Sequence, residues 1–432
     1  MTLQVGAGLR SGERNAELLL LSASVAFIFI AERALDGAAV TVPSGFRGIL
    51  TQFVVAMIAG HLAVRVLAPG ASRVPYAVAM LLTAIGLTFV ARLEPGVAQD
   101  QSLWATLGVA VMVGGVLLGQ RYRVLRSYRY TAALVAVLLL LVTGIFGETI
   151  NGARLWINVA GQSVQTTELI KIFMLIFLAG YLADSAGVLS APRLTFGGRS
   201  YSALPYLVPL GLTLMVAVLA LGLLKDLGTI ALLMLVTIGA LYAATGRIVF
   251  VAGGVLLLAL TAWLGYQLFD HVETRIDVWL HPFDDALGSG FQTAQALFAI
   301  QAGGVTGEGL GRGSPDTIPA VPTDYIFSAI GEELGLAGAL GVIMLFVLLL
   351  FSGLRIAVRA PDDYGRLLAF SIALLIAVQA FVIIAGNLGL IPTTGITLPF
   401  VSYGGSSLVV NFALVGILLG ISDASARAEA GR

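Results

Sequence analysis

The sequence predicts an all-α, polytopic integral membrane protein with about twelve transmembrane helices, and three observations carry that expectation. Apolar residues make up 58% of the 432-residue chain, and mean hydropathy is +0.97. Charged residues are only 11%, against about 25% in soluble domains, so a water-soluble core could not hide this much apolar surface. Runs alternating in polarity at period two, which a membrane barrel needs, are absent, and helices remain as the spanning element.

A span requires about 20 apolar residues. Twelve stretches qualify, near 17–34, 48–68, 75–92, 102–119, 130–146, 167–184, 203–224, 227–243, 248–268, 333–353, 367–388 and 405–422. The first begins after Arg10, Glu13 and Arg14 and lacks a small-residue cleavage site, so a retained helix is expected rather than a signal peptide. The seventh and eighth are separated almost without a loop, by Lys225 and Asp226. Asn151, Pro282 and a Gly/Pro cluster over 303–322 mark irregular backbone between spans.

Basic residues orient the chain. With the N-terminus inside, sixteen of the 24 fall in cytoplasmic segments, seven in outer segments, and Lys171 lies within a span. That ratio puts both termini in the cytoplasm. The run RYRVLRSYR (121–129) fits an inner-leaflet anchor rather than a nucleic-acid patch. The acids are concentrated elsewhere. Ten of the 24 Asp and Glu lie between Asp270 and Glu333, with only Arg275 and Arg312 for company, in the one long polar segment. With no cysteine, the chain has no disulfide, thiolate metal site or cysteine nucleophile.

Four segments bear a resemblance. GSGFQTAQALFAIQAGGVTGEGLGRGSPDTIPAVPTDYIFSAIGEELGLAG (288–338), PTTGITLPFVSYGGSS (392–407), NGARLWINVAGQSVQTTELIKI (151–172) and DLGT (226–229) occur in the order seen in the SEDS family (shape, elongation, division and sporulation), which includes RodA and FtsW. The resemblance implies a ten-helix core over 71–432 with a large extracytoplasmic loop at 269–332 before the tenth of the twelve helices. Residues 1–70 then look like an added transmembrane hairpin. It further implies a peptidoglycan glycosyltransferase that polymerises lipid II into glycan strands at the outer face of the membrane, for cell elongation or division. A class B penicillin-binding protein and other elongation or division proteins would be partners. Thr397 in GITLP leans slightly to the division type, and the sequence leaves both types open.

Such a reaction needs a base for the acceptor hydroxyl, cationic or metal help for a departing pyrophosphate, and a groove for lipid tails. A carboxylate base works best with its pKa lifted by an apolar setting. Asp324, between Pro322 and Tyr325-Ile326-Phe327, suits that role and matches the family's essential aspartate; the bland alternative is that Thr323 or Asp324 caps the next helix. Glu168 and Lys171, three apart, share one helix face and either serve function or form a structural pair. They match a Q-P-S-E-x-x-K stretch that here reads Gln165-Thr166-Thr167-Glu168. The resemblance adds Arg154 and Trp156 (with Leu155 intervening), Asp226, Ser402 and Ser406 as substrate-binding candidates and Asp316 as a regulatory position. A divalent cation, magnesium or manganese, would be the cofactor if there is one. The glycine run GEGLGRG (307–313) follows no strand and is not expected to bind a nucleotide. A lipid II flippase and a non-enzymatic scaffold are the rival readings. A carrier should place its polar groups near the midplane between repeated halves, and a scaffold would leave Asp324 dispensable.

Overall fold

The computed structural model describes residues 2–431 except 39, 41, 44, 151–152, 160, 191–193, 197–198 and 202–203; for 2–14, 159, 194–196, 199–201 and 204 only the backbone is described. Every expected span is a helix. They are α1 (Thr2–Gly37), α2 (Phe46–Leu67), α3 (Val74–Leu93), α4 (Ala98–Gln120), α6 (Arg129–Phe146), α7 (Thr166–Ser190), α8 (Val208–Leu223), α9 (Leu227–Thr245), α10 (Ile248–Leu268), α13 (Ile326–Arg359), α14 (Asp363–Asn387) and α15 (Gly405–Ala430). Among the described residues, twelve helices are long and apolar enough to cross a membrane. Shorter helices are α5 (Tyr122–Ser127), α11 (Asp270–Leu280) and α12 (Phe291–Gly303). The outer segment expected as a loop at 269–332 therefore holds two helices of its own.

Two small antiparallel sheets also depart from the purely helical expectation. One orders β1 (Glu148–Ile150), β2 (Ala153–Val159) and β3 (Gln162–Gln165) in sequence, and the other pairs β4 (Leu194–Phe196) with β5 (Arg199–Tyr201). β2 escapes a sequence search because its alternation is imperfect: Arg154 and Asn158 face out and Leu155 in, while Trp156 and Ile157 are both half-buried.

The chain divides into two units. The first comprises 1–120, 270–353 and 379–432. Its centre is α3, 94% of whose apolar window is buried. Beside it α4 and α15 cross at close range through paired small residues. A Cβ on Gly115 or Gly119 would lie 2.7 or 2.3 Å from the carbonyls of Ala413 or Ile417, and one on Gly416 or Gly420 would lie 2.2 or 2.3 Å from those of Met112 or Val116. Glycine four apart on both helices is thus what permits backbone contact where lipid supplies no hydrophobic drive.

Helix α13 breaks at Gly335 (φ 66°, ψ −167°), and the break is filled by the glycine run. Glu308 N and Gly309 N donate to Glu332 O and Glu333 O (both 3.0 Å), while Leu336 N donates to Gly304 O (2.9 Å). Side chains add to this: Gly311 N donates to Glu333 Oε2 (3.0 Å) and Ser314 N to Glu332 Oε1 (2.8 Å). The glycines of GEGLGRG therefore allow a loop backbone to run against an interrupted helix; a Cβ on Gly307 would sit 2.3 Å from Glu333 O.

The second unit comprises 121–269 and 354–378. A core of Ala136, Leu140, Leu155, Ile170, Met174 and Leu233 joins α6, β2, α7 and α9. The basic run at 121–129 is matched by acids within this unit: Arg123 pairs with Asp362 at 2.8 Å, and Arg126 and Arg129 both pair with Asp184. Asp362 also accepts from Tyr122 Oη and Gly365 N.

Candidate active site

Asp324 sits in the tight turn that leads into α13. Thr323 N and Asp324 N both donate to Ala320 O. Neighbouring segments of the first unit grip this turn by its backbone. Tyr403 N donates to Pro322 O (2.8 Å), Ser402 Oγ to Thr323 O (2.5 Å), and Asn387 Nδ2 to Asp324 O (2.8 Å). Asn387 is buried, and its Oδ1 accepts from Ser328 N (3.2 Å) and Ser328 Oγ (3.3 Å). Ser328 N also donates to Tyr325 O (2.9 Å), and among the described residues no amide of α13 donates to the Asp324 carboxylate, which leaves it for other work.

One cation stands beside it. Arg275, on α11, donates from Nη1 to Thr393 O (2.9 Å). Gly395 lies against both groups: a Cβ there would be 3.3 Å from Arg275 Nη2 and 3.8 Å from Asp324 Oδ2, and its φ of +69° already excludes most side chains. Asp324 keeps part of its surface exposed. Crowding by protein nonetheless disfavours its charged form and raises its pKa above the ordinary aspartate value, while the Thr323 hydroxyl and the Arg275 charge oppose the rise without cancelling it. The result is a carboxylate with heightened basicity, fixed on a rigid frame.

That frame accounts for the serines. Ser402 is buried and its hydroxyl is committed twice, donating to Thr323 O and accepting from Leu398 N (2.9 Å). Positioning the Asp324 turn, not substrate contact, is the role this geometry favours. Ser406 is half-buried in the first turn of α15. Thr397 donates to Ser407 Oγ (2.8 Å) and its carbonyl accepts from Gln379 Nε2 (2.8 Å), a structural use for this residue. Asp316 is 60% exposed and pairs with Arg92 (3.0 Å), which also reaches Glu333 (3.1 Å) and Gly313 O (3.1 Å). The regulatory candidate thereby ties the 308–317 segment to the end of α3.

The other candidates lie in the second unit. Lys171 Nζ and Glu168 Oε2 form a 2.7 Å ion pair, with side chains 1% and 4% exposed. Burial of two charges near a helix start is costly without further partners, and sheet and helix meet there: Thr143 and Thr166 share a hydroxyl contact, and Thr166 reaches Leu155 O. Arg154 is exposed and donates to Gly144 O (3.0 Å), an unsatisfied carbonyl near the end of α6. Trp156 packs on the core of this unit. Asp226 caps α9, accepting from Thr229 N (2.9 Å), yet its buried Oδ2 has no hydrogen-bond partner among the described residues.

Three non-glycine residues among those described adopt left-handed backbone: Lys225 (φ 63°), Ala320 (φ 55°) and Phe400 (φ 65°). Each borders a candidate residue, Asp226, Asp324 or Ser402, and such strain tends to accumulate at functional sites. Sequence reasoning missed Arg275 and Asn387. The only signal for Arg275 was its isolation among acids; Asn387 ends an apolar helix and carries none.

A divalent ion finds little to hold it here. Among the described residues no three His, Cys, Asp or Glu side chains gather, and the charged neighbour of Asp324 is a guanidinium. The donor set does not fit a metal.

Fold and site together define a polytopic helical membrane protein that holds an aspartate of raised pKa in a turn gripped by buried neighbours. Comparison with known proteins narrows this. The family model FtsW/RodA/SpoVE, described as "Cell cycle protein", matches residues 67–427, and the chain belongs to that family. Peptidoglycan glycosyltransferase RodA of Mycobacterium tuberculosis is 35% identical over 432 residues, covering 96% of this chain and 91% of that protein. A probable peptidoglycan glycosyltransferase FtsW of Geobacter sulfurreducens is 38% identical over 331 residues, covering 75% and 84%. A chain from a solved peptidoglycan synthase complex, reported to coordinate polymerization and crosslinking, superposes with a TM-score of 0.65 at 26% identity over 80% of this chain and 95% of its own.

Proposed function

We propose that this protein polymerises lipid II into peptidoglycan glycan strands, with Asp324 as general base. In the reaction, the 4-hydroxyl oxygen of one saccharide attacks the anomeric carbon of another. Its proton passes to the Asp324 carboxylate, and the bond from that carbon to the lipid diphosphate breaks, the electron pair leaving with the diphosphate. The observation that carries this reading is the division of labour at the turn: Tyr325 O and Asn387 serve the Ser328 amide in the first turn of α13, so the raised-pKa carboxylate of Asp324 is free to take a proton.

The remaining roles rest on the resemblance and on burial. Lys171, paired with Glu168, would supply positive charge to a lipid diphosphate, while Arg154, Trp156 and Asp226 would shape the donor side. Ser402 and Ser406 would support acceptor positioning through the 392–407 segment. The membrane is the bacterial cytoplasmic one, with both termini inside by the excess of cytoplasmic arginine. Similarity to a chain of a synthase complex supports a class B penicillin-binding protein as partner. The elongation type is favoured over the division type, because alignment with RodA covers 96% of the chain and with FtsW 75%.

Purified protein given labelled lipid II tests the reading. The parent should make glycan strands, and Asp324→Asn should lose about 10²–10⁴-fold in rate, the range for removing an acid–base group. A variant within a few-fold of the parent would refute the assignment, and a parent that moves lipid II across vesicles without making strands would favour the flippase.

A further inference from the structure

The N-terminal hairpin holds an apolar groove whose lining includes none of the candidate residues described above. Helix α1 packs along α3, and α2 along α4, so the backbones of α1 and α2 stand apart and meet through side chains, among them the Glu32–Arg47 pair. The seam between them opens into an apolar groove of about 410 Å³, walled by Leu18, Leu21, Val25, Met57 and Ile58 and bounded at one end by His61.

At that end, among the described side chains, positive charge exceeds negative. Buried Glu17 places Oε1 2.8 Å from His61 Nδ1, while its Oε2 lies 3.5 Å from Arg73 and 3.7 Å from Arg65. One carboxylate oxygen thus faces two guanidinium groups, neither within the roughly 2.7–2.9 Å of a strong charge-assisted bond. Each guanidinium has five donors, and both side chains are partly exposed. The other acid close by, Asp423, is already engaged by Arg427 at 2.6 Å, by Gly70 N and by Gln120. A surplus of cations beside an apolar groove calls for a ligand with an anionic head and a hydrocarbon tail.

We propose that this seam binds an anionic phospholipid of the surrounding membrane, with an acyl chain between α1 and α2 and its phosphate against Arg65 and Arg73. Basic pockets between transmembrane helices are suited to such headgroups. The site needs the chain to span a membrane and owes nothing to the polymerase assignment, because its readout is lipid retention.

Full-length protein reconstituted in nanodiscs of phosphatidylcholine with a minor share of phosphatidylglycerol, then released into detergent, would be analysed by native mass spectrometry. Phosphatidylglycerol should be retained in preference to phosphatidylcholine. Replacing Arg65→Gln should weaken that preference about fivefold, and Arg73→Gln about as much again. Ala26 also lines the groove, and Ala26→Phe, which fills it and leaves the charges alone, should weaken retention of the lipid as well, so one arm survives if the arginine variants misfold. Equal retention of both lipids, unchanged retention in a well-folded arginine or Ala26→Phe variant, or a second protein occupying the hairpin with no phospholipid retained, would each overturn the proposal.

Discussion

Asp324 illustrates how much one side chain owes to its neighbours. A carboxyl whose pKa is higher in the folded than in the unfolded state binds its proton more tightly when folded. Its ionisation therefore costs stability; the cost is absent below the unfolded value, near 3.8, and complete above the folded one. Asp324→Asn should then melt higher than the parent at pH 7–8, with the gain fading as pH falls towards 4, even as polymerisation is lost. Thermal unfolding across pH would show it, and a lower melting temperature at every pH would mean that the carboxylate is structural. Arg275 supplies the complementary test. It opposes the rise in the Asp324 pKa, so Arg275→Gln should raise that pKa further. The rate increases with pH as the base deprotonates, and the acid limb of the pH–rate profile should move to higher pH in this variant. An unmoved limb would exclude electrostatic coupling between the two.

Helix ends and breaks decide several other assignments. Asp226 caps α9 through one oxygen, and Asn performs that service nearly as well as Asp, whereas Ala costs about 1 kcal/mol. If capping is its whole role, Asp226→Asn should keep both melting temperature and polymerisation while Asp226→Ala lowers the first. Loss of polymerisation in a stable Asp226→Asn protein would instead give its unpartnered oxygen a part in substrate binding. The break in α13 is less forgiving. At Gly335 a Cβ would lie 2.3 Å from Gly307 N, and φ is +66°. Gly335→Ala should destabilise by about 1–3 kcal/mol from the backbone alone, with more from the clash, and should release the 308–316 segment. A melting temperature unchanged by this substitution would contradict the close approach described here.

Across the whole molecule the twelve helices among the described residues and the bias of arginine predict a sidedness with both termini in the cytoplasm. Because the sequence has no cysteine, single cysteines report without interference. One at Ser289, exposed before α12, should react in intact cells with an impermeant thiol reagent, whereas one at Ser127, exposed in the basic run, should react only after lysis. The reverse pattern would invert the topology and take Asp324 away from an outer-leaflet substrate.

Composition alone dictated that this chain crosses a membrane, and hydropathy located every crossing, though α1 and α13 start earlier and α7, α13 and α15 end later than expected. Both follow from short-range physics: a backbone in hydrocarbon must bond within its own segment, so each helix is written in its own residues. Motif likeness brought Asp324 into view in the same local way. Its chemistry is another matter. Whether Asp324 caps a helix or takes a proton depended on Asn387, 63 residues away, and its electrostatics on Arg275, anchored to a carbonyl 118 residues further on. The glycines of α4 and α15 stand four apart in plain sight, yet their purpose appears only once the two helices are seen to cross. Partners so distant along the chain are chosen by packing, which no window of sequence contains.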